Sequence, residues 1–321
     1  MSTPAPVTPR PTPKRPSAHQ RRMAAISALH RRRHLVQAAL VAFVLFVGVR
    51  HQLEDSTPSV DALCPFGGVE TLWTWVTTGQ LISKTHPSNL ILGAGLFVAV
   101  LVAGNAFCGW LCPFGAVQDA LTWVRKKLHL PVVTVPERVG KVLGLGRYLV
   151  LALVIWMSVS TVSLWFAGYD PYVTLFGLHW LFEPNLGTMW LAWVVLGLII
   201  AASVVVERAW CRFMCPLGGV LTLLGHFSII RVRRSATACT GCNLCVKPCP
   251  VGIDVAKPVK AVSADCIGCL ECVANCPVGG ALDVSAAWPW QSWGKLDVPA
   301  ERPRKVPVTI GRRPTGGEAS K

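Results

Sequence analysis

The chain has 321 residues and a net charge of +15, with 52% hydrophobic and only 15% charged residues. A soluble domain is about 25% charged, so this composition excludes an ordinary water-soluble protein and indicates a membrane-embedded one. Residues 1–33 hold eight Lys and Arg, no acid and no aromatic residue. Basic residues without interleaved aromatics argue against nucleic-acid binding and favour a signal of membrane orientation.

Residues 1–34 are predicted to be a basic, disordered N-terminal segment, because they are rich in Pro, Ser, Ala and Arg and have little apolar surface to bury. A signal peptide, including a twin-arginine signal, is the competing interpretation, since a short apolar run follows the basic residues. No convincing small-residue cleavage site follows Val49, so the sequence favours a retained membrane helix.

Four apolar stretches without a charged side chain predict a four-helix transmembrane domain over residues 35–230. They cover residues 35–49, 90–107, 148–166 and 190–206. A bilayer-spanning helix needs about 17–25 apolar residues, so the first stretch spans only if flanking residues reach into the interface. The predicted fold class is mainly α, a polytopic membrane protein with additional re-entrant or interfacial half-helices.

Charges between the stretches predict the topology. Residues 50–89 carry four acids against two basic residues, whereas residues 108–147 carry six basic residues against two acids. Residues 167–189 contain no Lys or Arg, and five arginines follow the fourth stretch by residue 234. By the positive-inside rule, both termini and the C-terminal segment lie on the cytoplasmic side of a bacterial inner membrane.

Residues 235–284 contain the strongest pattern in the chain, two copies of C-x2-C-x2-C-x3-C-P. Three thiolates on one loop hold three corners of a cubane, and in two-cluster ferredoxins the fourth cysteine of each run serves the other cluster. The pattern predicts a bacterial-type 2[4Fe–4S] ferredoxin domain. Cluster 1 is predicted to use Cys239, Cys242, Cys245 and Cys276, and cluster 2 to use Cys266, Cys269, Cys272 and Cys249.

Details of these loops favour clusters over zinc. Gly241 and Gly268 stand between ligands, where the backbone must bend tightly, and a proline follows the fourth cysteine of each run. Zinc sites also use C-x2-C pairs, but they do not need four cysteines per run followed by proline.

Two further cysteine pairs form an internal repeat at the ends of the second and fourth stretches. Cys108 and Cys112 form the first pair and Cys211 and Cys215 the second, and both read C-x3-C-P. This spacing puts both sulfurs of a pair on one helix face, and the proline either starts a new helix or kinks a continuous one. The four thiols are candidates for an additional cluster, another metal or a redox-active thiol site. The alternative is buried small residues at helix contacts.

A partial third copy of the motif contains Cys64. Cys64 is followed by Pro65, but Val60 occupies the position of the first cysteine. The segment predicts a re-entrant or interfacial helix that starts near Cys64, on the outer side by topology. Cys64 then serves either a structural role or as a ligand to a partner's cofactor.

Residues 285–321 are rich in Pro, Arg and Gly and are predicted to form a tail without a core of its own. Its Trp288, Trp290 and Trp293 either rest on the membrane interface or on the cluster domain, or belong to a loosely packed extension.

The four predicted spans, the two C-x3-C-P pairs and the tandem ferredoxin segment together resemble the NapH-like family of membrane quinol dehydrogenases and polyferredoxins. The same core is similar to the membrane half of NosR and to CcoG. The resemblance covers about residues 35–284 and rests on the twelve cysteines of the pairs and the tandem runs. It implies electron transfer between quinol or quinone in the lipid bilayer and other subunits of a respiratory or redox complex.

The alternative function is a thiol- or metal-reducing assembly or maturation factor with the cysteine pairs as its reactive centre. A third interpretation of the function is a structural anchor for the ferredoxin segment. No catalytic residue is assigned, although a quinol site needs a proton acceptor near the lipid interface. The sequence offers Glu70, His86, Asp170, His179, Glu183 and His226 without selecting among them.

Overall fold

The computed structural model describes residues 18–54, 59–80, 87–131, 133, 135–182, 186–235, 237–256 and 261–292. This part of the chain is mainly helical, with one two-stranded sheet. The helices are α1 (Ala18–Leu53), α2 (Pro65–Thr78), α3 (Pro87–Ala103), α4 (Ala106–Trp110), α5 (Pro113–Lys127), α6 (Glu137–Gly144), α7 (Gly146–Thr161), α8 (Pro171–Phe176), α9 (His179–Phe182), α10 (Leu186–Val205), α11 (Ala209–Phe213), α12 (Pro216–Gly225) and α13 (Glu271–Ala274). The strands are β1 (Ile230–Arg234) and β2 (Leu282–Ala286), and 3-10 turns cover Val60–Leu63, Trp165–Gly168 and Pro289–Ser292.

The four apolar stretches coincide largely with α1, α3, α7 and α10. Two helical segments, Ala24–Leu53 and Arg138–Thr161, are long and apolar enough to cross a membrane by length and composition. Shorter apolar helices cover Ser88–Ala103, Met189–Val205 and Pro216–Gly225. The described residues therefore contain two candidate spans, and the four-span topology stays a prediction.

Helix α1 begins earlier than the sequence predicts. The predicted disorder through residue 34 is wrong from Ala18 onward, where α1 starts. The part of the chain that carries the two tandem cysteine runs is here called the cluster segment. Ile26 packs against its apolar core, and Nδ1 of His30 lies 3.5 Å from Oε1 of Glu271. These partners are distant in sequence, so the composition of the segment alone does not reveal that it has a surface to pack against.

The contacts of α1 show the order of the layers in the molecule. Ile26 touches the cluster segment. Further along, Nε of Arg33 donates to the carbonyl oxygen of Gly109 (2.9 Å), and near the end Nε2 of Gln52 donates to that of Gly177 (2.8 Å). A helix rises about 1.5 Å per residue, so Ile26 and Gln52 are about 40 Å apart. The cluster segment and α8 therefore lie at opposite ends of the helical bundle.

The two C-x3-C-P segments share one local structure. In each, a five-residue helix (α4 or α11) ends before the second cysteine, and a new helix (α5 or α12) starts at the proline. The amide of Cys112 donates to the carbonyl oxygen of Phe107, and that of Cys215 donates to that of Trp210, both at 2.9 Å. Of the two sequence interpretations, the proline thus starts a new helix, at the first position where its missing N–H breaks no hydrogen bond.

A buried ionic cluster, here called the clamp, joins the two repeats to α1. The carboxylate of Asp119 in α5 accepts hydrogen bonds from Nε (2.8 Å) and Nη2 (2.7 Å) of Arg208. Arg33 and Gln37 of α1 donate to the same carboxylate. Arg208 is fully buried, and its Nη1 also donates to the carbonyl oxygen of Cys108 (3.0 Å). Because Arg208 directly precedes α11, the clamp fixes one cysteine pair relative to the other.

Two guanidinium groups keep Asp119 ionised. Burial alone would raise the pKa of this carboxyl, but the charges of Arg208 and Arg33 outweigh burial and hold the pKa below its usual value. A lowered carboxyl pKa contributes stability that is fully present above the ordinary pKa of about 4. That contribution is lost as the pH falls through the lower pKa of the folded state.

The two-stranded sheet closes the cluster segment. β1 pairs antiparallel with β2, from Ile230 opposite Ala286 to Arg234 opposite Leu282. The predicted segment bounds of 235 and 284 are therefore too narrow, and the predicted tail start at 285 falls inside β2, because backbone pairing extends beyond the cysteine pattern. Trp288 and Trp290 follow and stack with their ring centroids 5.3 Å apart. Trp293 lies outside the described residues.

Replacing Asp119 with Asn should destabilise the fold by about 3–5 kcal/mol, because it leaves buried guanidinium groups without their counter-charge. Glu54→Gln is the control, since Glu54 pairs with Arg50 at 2.7 Å on an exposed surface and such pairs contribute about 0–1 kcal/mol. The measurement is the free energy of unfolding in detergent, by chemical denaturation at neutral and acid pH. The wild-type protein should lose stability toward acid more steeply than Asp119→Asn does. Equal effects of the two substitutions would contradict a stabilising clamp.

Candidate functional site

The cysteines predicted for cluster 1 meet in one place. Cys239, Cys242, Cys245 and Cys276 line the same small cavity, three from the first run and one from the second. The thiol of Cys245 also lies within electrostatic range of the other three. The arrangement fits the exchange of the fourth ligand between runs that two-cluster ferredoxins show.

The cysteines predicted for cluster 2 form a second group. The thiol of Cys272 lies within electrostatic range of Cys266, Cys269 and Cys249, and also of Cys245 from the first group. Among the described residues, no three His, Cys, Asp or Glu side chains lie close enough to hold one metal ion. A four-iron cubane separates its ligands more widely than a single ion does, so both groups still fit a cluster in number and in ligand type.

The backbone of the two loops repeats the same bends. Gly241 and Gly268, at equivalent places in the two runs, have left-handed φ angles of 70° and 63°. Two residues further on, Asn243 and Leu270 have left-handed φ angles of 58° and 61°. Glycine adopts this region without steric cost, which agrees with the tight bends predicted at the two glycines.

The two groups differ in exposure. Cys242 in the first group is exposed, whereas Cys269 and Cys272 in the second are buried. The buried group adjoins the helical bundle, because Cys269 and Ile267 belong to the same apolar cluster as Cys108. The first group faces solvent and the second faces the bundle.

Both C-x3-C-P motifs contact loops of the second group. In the first motif, Nε1 of Trp110 donates to the carbonyl oxygen of Gly268 (3.1 Å). A Cβ added at Gly109 would come closer than 3.0 Å to the carbonyl oxygen of Ile267, so only glycine permits this approach. In the second motif, Arg212 lies against Gly252, three residues after Cys249. A Cβ added at Gly252 would come within 2.5 Å of Nη2 of Arg212.

An ion pair also ties the cluster segment to the bundle. Nη1 of Arg147 lies 2.7 Å from Oδ1 of Asp265, the residue before Cys266. The hydroxyl of Thr222 in α12 donates to the same oxygen (3.0 Å). The start of the second run is thus held against α7 and α12.

The four thiols of the pairs converge on one cavity. The thiol of Cys215 lies within electrostatic range of those of Cys211, Cys108 and Cys112. All four line an apolar cavity of about 540 Å³, here called the central cavity, between α1, α3 and the starts of α5 and α12. The structure therefore brings together the four residues that the sequence proposes as an additional metal or redox site.

The second cysteine of each pair caps a helix. The amide of Gly115 donates to Sγ of Cys112 and that of Gly218 to Sγ of Cys215, both at 3.4 Å. Amide donors and the positive end of a helix dipole stabilise an anionic sulfur. In each motif the amide donor thus partly offsets the burial of the sulfur.

Two more helices start at the central cavity, one of them unrecognised from sequence. Cys64 precedes Pro65 of α2, as predicted, and Asp170 precedes Pro171 of α8. The caps Cys64, Cys112, Asp170 and Cys215 all have extended backbone, with ψ between 112° and 117°. Sγ of Cys64 lies 3.8 Å from Oδ2 of Asp170. A search for cysteines misses Asp170, whereas a search for a polar residue before a helix-starting proline would find it.

The remaining proton-acceptor candidates lie elsewhere or outside the described residues. His179 accompanies Gln52 (3.2 Å), away from the cavity, and His226 bonds the carbonyl oxygen of Thr222 (2.8 Å). Glu70 is buried beside Ser158, whose hydroxyl donates to it (3.1 Å). His86 and Glu183 fall among residues that the structure does not describe.

Two family profiles match the chain. A 4Fe-4S binding domain matches residues 85–131 and 186–235, which contain the two C-x3-C-P motifs. A 4Fe-4S dicluster domain matches residues 231–277, which contain the tandem runs. With the geometry above, they define an iron–sulfur electron-transfer protein of the ferredoxin type that carries [4Fe–4S] clusters.

Curated relatives place the chain in a family. Putative electron transport protein YccM of Escherichia coli K12 is 30% identical over 62% of this chain and 56% of its own length. Ferredoxin-type protein NapH of Haemophilus influenzae is 30% identical over 54% and 58%. Uncharacterized protein MJ0750 of Methanocaldococcus jannaschii is 30% identical over 61% and 76%. The chain belongs to the NapH-like polyferredoxin family.

The extent of these matches differs between relatives. The chain spans less than three fifths of the length of YccM and of NapH, but about three quarters of MJ0750. No solved structure matches the chain.

Replacing Gly109 with Ala should disturb the second cysteine group, because the added methyl would push the Ile267 carbonyl away from α4. Gly197→Ala is the matched control, since a Cβ there meets nothing within 4 Å. Iron and acid-labile sulfide per chain, counted after anaerobic purification, should fall by up to about four irons in Gly109→Ala only. Unchanged iron content and thermal stability in Gly109→Ala would show that the contact is not tight.

Proposed function

We propose that this chain is a membrane-bound protein that passes electrons between the quinol/quinone pool and a redox partner through two [4Fe–4S] clusters. One observation carries the proposal: both C-x3-C-P motifs contact the loops that hold the buried cysteine group, Trp110 against Gly268 and Arg212 against Gly252. Cluster 2 is then the cluster next to the membrane, and cluster 1 is the one next to the partner.

The surface of the helices supports four membrane spans. Large apolar side chains point outward from α1, α3, α7 and α10; they are Phe46, Ile91, Leu149 and Leu198. Contiguous exposed apolar surface needs lipid or a partner to cover it. With the charge pattern of the connecting segments, this arrangement favours a multi-pass protein of the bacterial inner membrane with both termini and the clusters on the cytoplasmic side.

The proposed ligands follow the two cysteine groups. Cluster 1 is held by Cys239, Cys242, Cys245 and Cys276, and cluster 2 by Cys266, Cys269, Cys272 and Cys249. Each cluster supplies storage for one electron at a time when bound. The chain itself excludes water around Cys269 and Cys272 and exposes Cys242, so that a partner can approach one end of the path.

A second candidate function is a thiol- or metal-reducing assembly or maturation factor. The convergence of Cys108, Cys112, Cys211 and Cys215 on one cavity favours it. In that case, the pairs are the reactive centre, or hold a further cluster or another metal, and the two ferredoxin clusters deliver electrons to them. Electron transfer that survives without the pairs would exclude this function.

The proposed function predicts cluster reduction by quinol. Protein purified without oxygen should contain about eight irons, four per cluster, and its clusters should become reduced when a soluble quinol is added. About twelve irons would add a cluster at the cysteine pairs. No iron, or clusters that dithionite reduces and quinol does not, would contradict quinol-linked electron transfer. Cys108→Ser with Cys211→Ser should slow the reduction if the pairs are part of the path.

The ligand assignment predicts a crossed effect of two substitutions. Cys249→Ser belongs to the first run but should alter the cluster next to the membrane, and Cys276→Ser should alter the exposed one. Electron paramagnetic resonance of the reduced protein distinguishes the two, because a serine ligand changes the signal of one cluster. If Cys249→Ser gives the same change as Cys242→Ser, each run holds its own cluster and the crossed assignment is wrong.

A further inference from the structure

The central cavity, where the four thiols converge, has the size and the lining of a small-molecule site. Its volume of about 540 Å³ lies within the 300–1,000 Å³ usual for small-molecule sites. Its walls are largely apolar, with Phe66, Leu96, Phe107 and Phe114 among them. An aromatic, apolar ligand with few polar atoms fits such a lining.

The cavity opens sideways between α1 and α3. Phe43 and Ile91 line it and are also 52% and 73% exposed on the outside of their helices. Gly95 also lines the cavity, and a Cβ there would meet nothing within 4 Å. Since α1 and α3 are proposed spans, this opening faces the acyl chains of the bilayer and not water.

The position of the cavity along α1 matches the interior of a bilayer. Leu40 and Val44 line the cavity, and they lie near the middle of the apolar stretch 35–49. Arg33, at the clamp, is about 10 Å nearer the cluster segment at 1.5 Å per residue. A molecule that arrives within the lipid layer therefore meets the opening directly.

A buried carboxyl group forms the polar part of the wall. Asp170 is 8% exposed and lines the cavity. Its Oδ1 accepts from the amide of Tyr172 (2.9 Å), while among the described residues Oδ2 has only the distant Sγ of Cys64 (3.8 Å) as a partner. A buried carboxylate oxygen with so weak a partner is an acceptor for an additional donor.

A second buried carboxyl lies behind the first. Glu70 is 2% exposed, in the helix that Cys64 caps, and lies within electrostatic range of Asp170. The hydroxyl of Ser158 donates to it (3.1 Å). Glu70 is thus a candidate to receive a proton that leaves Asp170.

We propose that the central cavity is the quinol site of this chain, entered from the bilayer between α1 and α3, with Asp170 as the acceptor of the quinol proton. The inference rests on the proposed quinol-linked function and assigns its substrate site. The ring lies between Asp170 on one side and the cysteine pairs on the other. The pairs in turn touch the loops of cluster 2.

The oxidation of quinol at this site balances in atoms and in charge. Oxidation of one quinol to quinone breaks two O–H bonds and releases two electrons and two protons. The cysteine pairs lie between the cavity and the residues that would hold cluster 2, and each of the two clusters, when bound, would accept one of the two electrons. Asp170 takes the first proton on Oδ2 and passes it to Glu70, and then takes the second. Quinone reduction would follow the same route in the opposite direction.

Filling the cavity tests its occupant. Gly95→Trp places an indole in the opening, where the backbone leaves room for it, and Gly197→Trp adds the same group to α10, where a Cβ also meets nothing within 4 Å. Binding of ubiquinone-1 and of menadione to the purified holoprotein is measured by titration. Gly95→Trp should weaken the binding of whichever quinone the wild-type protein takes by at least about tenfold, a free-energy change of about 1.4 kcal/mol. Gly197→Trp should bind as the wild-type protein does.

The same variants separate this inference from the proposed function. If quinol reduces the clusters of the wild-type protein and of Gly95→Trp equally, the cavity is not the quinol site, although the function stands. If only dithionite reduces the wild-type clusters, the function itself fails. Equal reduction by dithionite in all variants shows that the clusters are intact.

Asp170→Asn tests the proton acceptor. Asn also caps helices, so α8 should still form. Quinone binding should change little, while cluster reduction by quinol should slow by about a hundredfold, the usual contribution of a general base. Glu54→Gln, an exposed carboxyl in a pair with Arg50, should leave the rate unchanged. An unchanged rate in Asp170→Asn would overturn its role as the acceptor.

Discussion

The clamp between Asp119 and Arg208 is the interaction on which the rest of the structure depends. It places one negative charge in the interior, between guanidinium groups from two different parts of the chain. Arg208 also has a left-handed φ of 53°, which costs about 1–2 kcal/mol for a residue with a side chain. The ion pair and the bond to the Cys108 carbonyl offset that cost. The carboxylate holds the Arg208 side chain in place, and that side chain in turn ties one cysteine pair to the other.

From the clamp, the order of functional parts follows along one axis. α1 passes the cluster segment, the clamp, the central cavity and α8 in turn. The cysteine pairs lie between the cavity and the buried group of cluster cysteines. Sulfur ligands or packed contacts therefore line the whole proposed path. The exposed group with Cys242 lies at the far end. A short, layered order of this kind suits transfer of electrons in one dimension.

The sequence predicts much of this arrangement, because thiol spacing and apolar stretches are local patterns. The tandem runs, the C-x3-C-P pairs and the start of α2 at Cys64 are all visible as such. The clamp is not visible in the sequence, since Asp119 and Arg208 are 89 residues apart and each looks like an ordinary charged residue. The early start of α1 is hidden for the same reason. The sequence offers Asp170 only as one of six proton-acceptor candidates, because its part in the repeat rests on backbone geometry and not on residue type.

Closure of the cluster segment by β1 and β2 has a mechanical consequence. The amide of Ile229 bonds the carbonyl oxygen of Leu101 in α3 (3.0 Å), and the amide of Ala287 bonds that of Ile229 (3.1 Å). The chain therefore enters and leaves the segment at the same point, beside the bundle. Both crossings thus share one attachment point at α3, so a displacement of α3 would move the two ends of the segment together.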